Sequence, residues 1–231
     1  MGRAKEIIVK VIPSKIANEF VKKTHYSGKV VPNSQLHFGC FLDNKMHGVM
    51  SYGPSINKKG TINLVLNTSW NDYLELNRMA FDEYLPKYSE SRCIAISIKL
   101  IKKNAPHIRW VVSFSDGTQC GDGVIYRASG FNLIGIVESG QVFNFNGNVV
   151  HGKTLWDKLL VKGWTVSDSC MEKLRLKGHT IERLKGFQLK YIYLIDKTCK
   201  ITVPILPFAK IDEMGAGMYK GEKITVAERK E

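Results

Sequence analysis

Residues 73–116, "YLELNRMAFDEYLPKYSESRCIAISIKLIKKNAPHIRWVVSFSD", decide the fold. The first ten, 73 to 82, read as a strand with an arginine set among apolar neighbours. After Pro86 the apolar residues recur at 94, 98 and 101, and again at 93, 96 and 100. Two apolar faces over about 14 residues predict a buried helix, ended near Pro106. "RWVVSFSD" then returns to strand. Trp110, Val112 and Phe114 alternate, so Asp116 continues the same inward-facing set at the strand's carboxyl end.

Working outward, a Gly-rich polar loop follows Asp116. A two-turn helix carrying Tyr126 then leads through Gly130 into another strand. On the other side, residues 5–12 read as a strand and 14–23 as a short helix capped by Ser14 after Pro13. "THYSGKVVPNS" (24–34) is a polar loop. "LHFGCFLD" and "HGVMSYG" are strands joined by a turn at Asp43-Asn44. The order is strand, helix, three strands, long helix, strand, short helix, strand, an α/β pattern with a mixed rather than purely parallel sheet. The last third is less regular. "VSDSCMEKLRLKGHTIERLKG" predicts a basic helix from a Ser-Asp-Ser cap, "FQLKYIYLID" a strand, "VPILPFAK" an extended piece, and the tail from about Gly215 is polar and loose.

The 231 residues allow one sizeable core, or one core with a smaller appendage. Hydrophobic content of 44% and charged content of 24% are those of an ordinary globular protein. No apolar run approaches the roughly 18 to 20 residues that cross a bilayer. "MGRAKEIIVKVI" alternates like a strand and does not read as a secretory signal, and Glu6 stands where a lipidation motif has Ser or Thr. Five scattered cysteines (Cys40, Cys93, Cys120, Cys170, Cys199) form no CxxC pair. They support neither a zinc ribbon nor a disulfide framework, and the expected setting is the reducing cytoplasm. Lys and Arg outnumber Asp and Glu by 34 to 21, a net charge of +13. Such a field attracts polyanions, nucleic acid first, although a merely soluble basic protein would carry it too.

Strand, long helix, strand, short helix, strand resembles the centre of the GNAT N-acyltransferase fold, in which two central parallel strands splay apart. A closer resemblance is to the bacteriophage Mom DNA-modification family. It is carried by "HYSG" (25–28), "LNRMAFD" (76–82), "PKYSESR" (86–92), "RWVVSFSD" (109–116), "GVIYRASGF" (123–131) and the late "KYIYLIDK…VPILPFAK", in one order. The resemblance implies a GNAT-like catalytic domain over residues 1–212, with 138–212 as its family-specific part and 213–231 as a tail. It implies conversion of adenine in double-stranded DNA to N6-carbamoylmethyladenine, shielding phage DNA from restriction in the bacterial host cytoplasm. By motif the catalytic residues are His25, Tyr26, Arg78, Asp116 and Tyr126.

Each of these has a chemical reading and a bland one. A carboxylate at Asp116 can hydrogen-bond an exocyclic amine and take its proton, or Asp-Gly can simply turn the chain. Tyr126 can protonate a leaving group, or pack in the core. His25 and Tyr26 can stack on a flipped base while the imidazole moves a proton near neutral pH, or be solvated. Arg78 in a strand needs an anion: a phosphate, Asp116, or a structural partner such as Glu75 or Asp82.

"PKYSESR" departs from the GNAT pattern, since 82–92 contains no glycine for a backbone pyrophosphate cradle. Lys87, Ser89, Ser91 and Arg92 remain as side-chain phosphate ligands, or Ser89 as an N-cap. The donor is then either acetyl-CoA, which would need oxidation and added nitrogen, or glycyl-tRNA, which needs neither. No facial His/His/carboxylate spacing stands out to hold a metal. Lys173, Arg175, Lys177, Arg183, Lys185 and Lys190 can neutralise DNA phosphates, or form a solvated face. Two other classes compete: a nucleic-acid-binding module without catalysis, and a conventional N-acetyltransferase.

Overall fold

In the computed structural model, the described residues are 2–117, 122–152, 154, 155, 166–219, 222 and 223. Cys120 lies outside them. β1 (Ile8–Val11), β2 (Leu36–Leu42), β3 (Lys45–Gly53) and β4 (Tyr73–Phe81) form consecutive antiparallel pairs. β5 (Trp110–Asp116) joins β4 in parallel, after which come β6 (Asn132–Phe145), β7 (Asn148–His151) and β8 (Ile181–Leu194). The eight strands follow the order β1-β2-β3-β4-β5-β8-β6-β7, so β8 inserts between β5 and β6. This is the mixed α/β sheet with flanking helices expected from the sequence.

Local chemistry explains the elements. Asp43 and Asn44 both adopt positive φ, 50° and 61°, the two-residue turn that matches strand twist in the β2–β3 hairpin. α1 (Ser14–Thr24) packs Ala17 and Val21 against Val49 and Ala80. α3 (Ser89–Asn104) lies on the other face, where Tyr52, three residues along β3 from Val49, bonds Ser97 at 2.6 Å. Burying Ile94, Ile98 and Ile101 of α3 is worth roughly 1.5–3 kcal/mol each. A short α2 (Lys58–Thr61) sits between β3 and β4, and α4 (Val124–Ala128) follows β5.

The chain forms two compact units. The first holds residues 1–114, 124–134 and 190–205. Its core centres on fully buried Trp110, stacked on Tyr73 at 4.0 Å and joined by Val112, Ile134 and Ile192. The second holds 115–123, 135–189 and 206–231, with a core of Phe143, Leu155, Val166, Met171, Leu174 and Ile181. It includes α5 (Asp168–Leu176), α6 (Ala209–Glu213) and a two-residue hairpin, β9 (Met218–Tyr219) with β10 (Glu222–Lys223).

Several boundaries differ from the sequence expectation. Arg3–Glu6 is a 3₁₀ turn and β1 starts only at Ile8. Pro13, not Ser14, is the N-cap of α1, with no side-chain cap. α3 buries one broad face rather than two, since Ile96 and Leu100 are half-exposed. α4 spans five residues instead of two turns. The basic helix ends at Leu176, because Gly178 turns the chain at φ +84° and β8 begins at Ile181. Part of the expected loose tail is the β9–β10 pair.

The pairing of β4 with β5 is short. Tyr73–Leu76 register with Trp110–Ser113, and Ser113 Oγ donates to the Leu76 carbonyl at 3.0 Å. Beyond that both strands continue, to Phe81 and Asp116, without further mutual pairing among the described residues. They part as the resemblance implied. On the other side of β4 the register slips: Tyr52 faces Leu76, Ser51 faces Arg78, and Asn77 is the extra residue of a β-bulge.

Trp110→Ala should lower stability by about 3–5 kcal/mol, through the cavity left against Tyr73. Denaturant unfolding followed by far-UV circular dichroism measures it, and Trp110→Phe should recover most of the loss.

Candidate active site

His25 ends α1 as its C-cap, its N–H donating to Val21 O at 2.9 Å, and Gly28 at φ +59° closes the turn after it. The imidazole lies against Tyr26, ring centroids 4.3 Å apart, and Tyr26 is 57% exposed. Arg78 reaches from β4 to this segment: its Nε donates to Lys29 O at 3.0 Å and one terminal nitrogen to Asn77 O at 2.9 Å. The segment is fastened further along. Ser34 Oγ donates to Asn77 Oδ1 at 2.7 Å, and Asn33 Nδ2 to Pro54 O at 2.8 Å. Gly53 permits this approach, since a Cβ there would sit 2.5 Å from Asn33 O and 2.9 Å from Ser34 Cα.

Burial, helped by the Arg78 charge, lowers the His25 pKa to about 4. The ring is therefore neutral at pH 7, which corrects the expected proton carrier near neutrality. The Ser27 backbone N–H donates to Nδ1 at 3.1 Å, and a backbone amide can only donate. The proton of the neutral ring is thus on Nε2, and His25 offers an N–H donor there. Glu75 is buried on β4, and burial raises its pKa against hydrogen bonds from Ser55 and Ile56 and the Arg78 charge.

Tyr126 in α4 is 6% exposed, stacked on Tyr191 at 5.0 Å and edge-on to Phe131 at 5.5 Å. Tyr52 is fully buried, and burial raises its phenol pKa, with Tyr126 adding to the effect. Asp116 is half-buried at the carboxyl end of β5, in the second unit. It shares a strand face with Trp110, Val112 and Phe114, but that face opens at Phe114, so Asp116 is less enclosed than its alternation implied. The glycine after it is not a loose turn. Gly117 N–H donates to Phe187 O at 2.7 Å, and a Cβ there would meet Ala216 O at 2.8 Å.

The start of α3 is closed in on itself. Tyr88, at φ +71°, is its N-cap, displacing Ser89 to the first helical turn. The Ser89 hydroxyl is buried on Pro86 O, and Ser91 Oγ donates to Tyr88 O at 3.2 Å. An Arg92 terminal nitrogen donates to Lys5 O at 3.0 Å, and Glu90 adds a carboxylate to the first turn. Lys87 is exposed. The preceding loop is pinned by Asp82, which accepts from Tyr84 N–H at 3.0 Å and pairs with His47 Nδ1 at 2.9 Å.

The basic residues of the C-terminal third also separate. Lys173 and Lys177 are exposed on α5 and at its C-cap. Arg175 instead makes two bonds to Ile181 O, and Arg183 pairs with Asp168 at 2.9 Å. Lys185 lies over the Phe187 ring, and Lys190 reaches Gly60 O in the first unit.

The structure therefore brings His25, Tyr26 and Arg78 together, sets Glu75, a partner the sequence offered for Arg78, within reach of its charge, and adds Ser34 and Asn77, which the sequence reading did not single out. A signal for them was present. Glu75 and the consecutive polar Asn77-Arg78 break the apolar pattern of "YLELNRMAF", as a bulge does. Among the described residues no group of three or more His, Cys, Asp or Glu gathers as a metal site, and no helix is long and apolar enough to cross a membrane.

Residues 6–210 match the model of the Mom protein family. The chain belongs to that family. It is 37% identical over 153 residues to methylcarbamoylase mom of Escherichia phage Mu, covering 66% of this chain and 63% of that relative. The aligned part is thus less than two thirds of the relative's length. Among solved structures, the ribosomal-protein-S18-alanine N-acetyltransferase of Escherichia coli aligns with 82% of this Mom-family chain and 94% of its own, at 10% identity and TM-score 0.45. A Bacillus subtilis acetyltransferase in complex with CoA aligns with 81% and 98%, at 8% identity and TM-score 0.46.

A half-buried, neutral histidine makes folding sensitive to acid. The folded pKa of His25 is depressed to about 4 from 6.5, so its contribution is complete above pH 6.5 and is lost as pH falls towards 4. The stability difference between the wild type and His25→Gln should shrink across that window and be flat above it. Thermal unfolding of both from pH 4 to 8 provides the comparison.

Proposed function

We propose that this Mom-family chain is a transferase that converts adenine in DNA to N6-carbamoylmethyladenine, with glycyl-tRNA as donor, and so shields phage DNA from restriction. The observation that carries the reading is the cluster on the bulged strand where β4 leaves β5. A half-buried cation, Arg78, and a neutral imidazole with its proton on Nε2 are fastened beside an exposed aromatic ring, Tyr26. Acyl transfer needs donors for a developing oxyanion, and a base drawn out of the stack needs an aromatic face. The name of the phage Mu relative supports the same group being transferred.

In the proposed reaction N6 attacks the acyl carbon of the glycyl ester, and the bond from that carbon to the ribose oxygen breaks. Asp116 takes a proton from N6, and Tyr126 returns one to the leaving oxygen. The Nε2–H of His25 and the Arg78 guanidinium stabilise the oxyanion. The product, N6–CO–CH₂–NH₂, carries an amine that closes a five-membered ring on C6. Cleavage of the original C6–N6 bond leaves C6–NH–CH₂–CO–NH₂, with every atom of the glycyl group retained. No oxidant is required.

The start of α3 supports the choice of donor. Pyrophosphate binding at a helix N-terminus uses free backbone N–H groups, and a carboxylate in the first turn opposes it by like-charge repulsion. Here the hydroxyls of Ser89 and Ser91 turn back on the chain and Glu90 contributes a carboxylate, leaving Lys87 as the outward cation. DNA and tRNA are met instead by the net charge of +13, with exposed Lys173 and Lys177 as proposed phosphate contacts and Arg175, Arg183 and Lys185 shaping the same segment.

Purified protein and DNA, supplied with tRNA carrying labelled glycine, should yield adenine about 57 Da heavier, as base-directed transfer requires. Label should enter the base and RNase should abolish it. Modification with acetyl-CoA and no tRNA would overturn the donor, and unmodified nucleosides with either donor would leave a binding module. Asp116→Asn should cut the rate by roughly 10² while leaving DNA affinity nearly unchanged.

A further inference from the structure

We propose that Asn77 reads the target base: its carboxamide binds the edge of adenine that carries N6. Nδ2 donates to the ring nitrogen beside the exocyclic amine, and Oδ1 accepts one N6–H. This rests on the adenine reading above and names the residue that would select the base.

Asn77 is 6% exposed, yet its Nδ2 has no hydrogen-bond partner among the described residues. Buried amide donors are nearly always satisfied, and an exception calls for an explanation. The rest of the residue is held firmly. Oδ1 accepts from Ser34 Oγ at 2.7 Å and has a second lone pair, while the backbone carbonyl accepts from Arg78 at 2.9 Å. Ser34 thus clamps the carboxamide and Arg78 its backbone, and the carboxamide retains both a donor and acceptor capacity. The bulge sets it directly after Leu76, the last β4 residue in register with β5.

That donor and acceptor pair matches adenine. Beside N6–H adenine has an acceptor nitrogen on either side, N7 or N1, and asparagine pairs with that edge in a bidentate way. Guanine presents O6 there, and O6 would oppose Oδ1. An acyl carbonyl would use only donors, which His25 and Arg78 already provide. Ser34 belongs to the same α1–β2 segment as Tyr26, so the ring proposed to stack on the base and the group proposed to read its edge share one support. Accepting an N6–H in the plane of the base leaves the N6 lone pair, perpendicular to it, to attack the ester.

The test uses single-stranded oligonucleotides with adenine, 7-deazaadenine, 1-deazaadenine or guanine at one position, binding the full-length protein without donor. Wild type should prefer adenine over one of the two deaza analogues by roughly 5- to 100-fold, and the sensitive analogue identifies the ring nitrogen. Asn77→Ala should lose that preference and bind adenine as weakly as the analogue. Ser34→Ala, which leaves the carboxamide but removes one clamp, should keep a reduced preference. Equal binding of adenine and both analogues by wild type would overturn the proposal, as would a preference that survives in Asn77→Ala. Because no donor is present, adenine discrimination without transfer in the complete reaction would count against the transferase reading alone. Transfer without discrimination would count against Asn77 alone.

Discussion

The site depends on the early end of the pairing between β4 and β5. A parallel ladder satisfies backbone groups on both strands, and when it stops each released group needs another partner. Here side chains take over. Ser113 meets the Leu76 carbonyl and Arg78 meets the Asn77 carbonyl. The bulge at Asn77 reinforces the parting, since an extra residue bends a strand and increases its twist. The gap is therefore a stable feature of the backbone, and the polar side chains at it are needed to keep it so. Removing Arg78 would take away both a charge and the partner of a bulge carbonyl.

Electrostatics at this point follow from burial and from one half-buried cation. Burial, helped by the Arg78 charge, keeps His25 neutral, and the same charge moderates the upward shift that burial imposes on Glu75. The arginine carries the positive charge, the imidazole supplies a fixed N–H, and neither changes state near pH 7. A preorganised donor pair of this kind loses nothing to proton uptake as charge develops. A histidine titrating at its ordinary pKa would instead be partly charged beside a guanidinium and would repel it.

Much of the fold was legible because its signals are periodic. The alternation of β2–β4, the long apolar period of α3 and the Asp43-Asn44 turn are local, and each fell where the pattern placed it. Ends were less legible, because they depend on competition between neighbours. Gly178 closes α5 before the charged run that looked helical, and Tyr88 takes the cap position from Ser89. The His25, Tyr26 and Arg78 grouping followed from short motifs, but its chemistry did not. The neutrality of His25 arises from burial and from an arginine 53 positions away, and Asn77 looked like one more polar residue until its unpartnered nitrogen was placed. Conversely, Arg175 and Arg183 read as phosphate ligands in sequence, whereas their geometry satisfies a carbonyl and a carboxylate of their own unit.

The contrast between the two ends of the site bears on the donor. On β4 a bulge carries the half-buried Arg78 and the buried, unpartnered Nδ2 of Asn77, whereas at the N-terminus of α3 the Ser89 and Ser91 hydroxyls turn back on the chain. Closing that terminus with Tyr88, left-handed and 79% exposed, has a conformational cost that a glycine would avoid. A helix start kept for pyrophosphate would have little reason to bear it, or to place Glu90 where the helix dipole already attracts the ligand's negative charge. An aminoacyl ester imposes no such demand, because its phosphates lie along a long polyanion that a basic surface can hold at many weak points. The requirement near the reacting carbon then reduces to an oxyanion donor set and a selective grip on the nucleophilic base. In the proposed reaction Arg78, His25 and Asn77 would meet that requirement from one bulged strand and the segment tied to it.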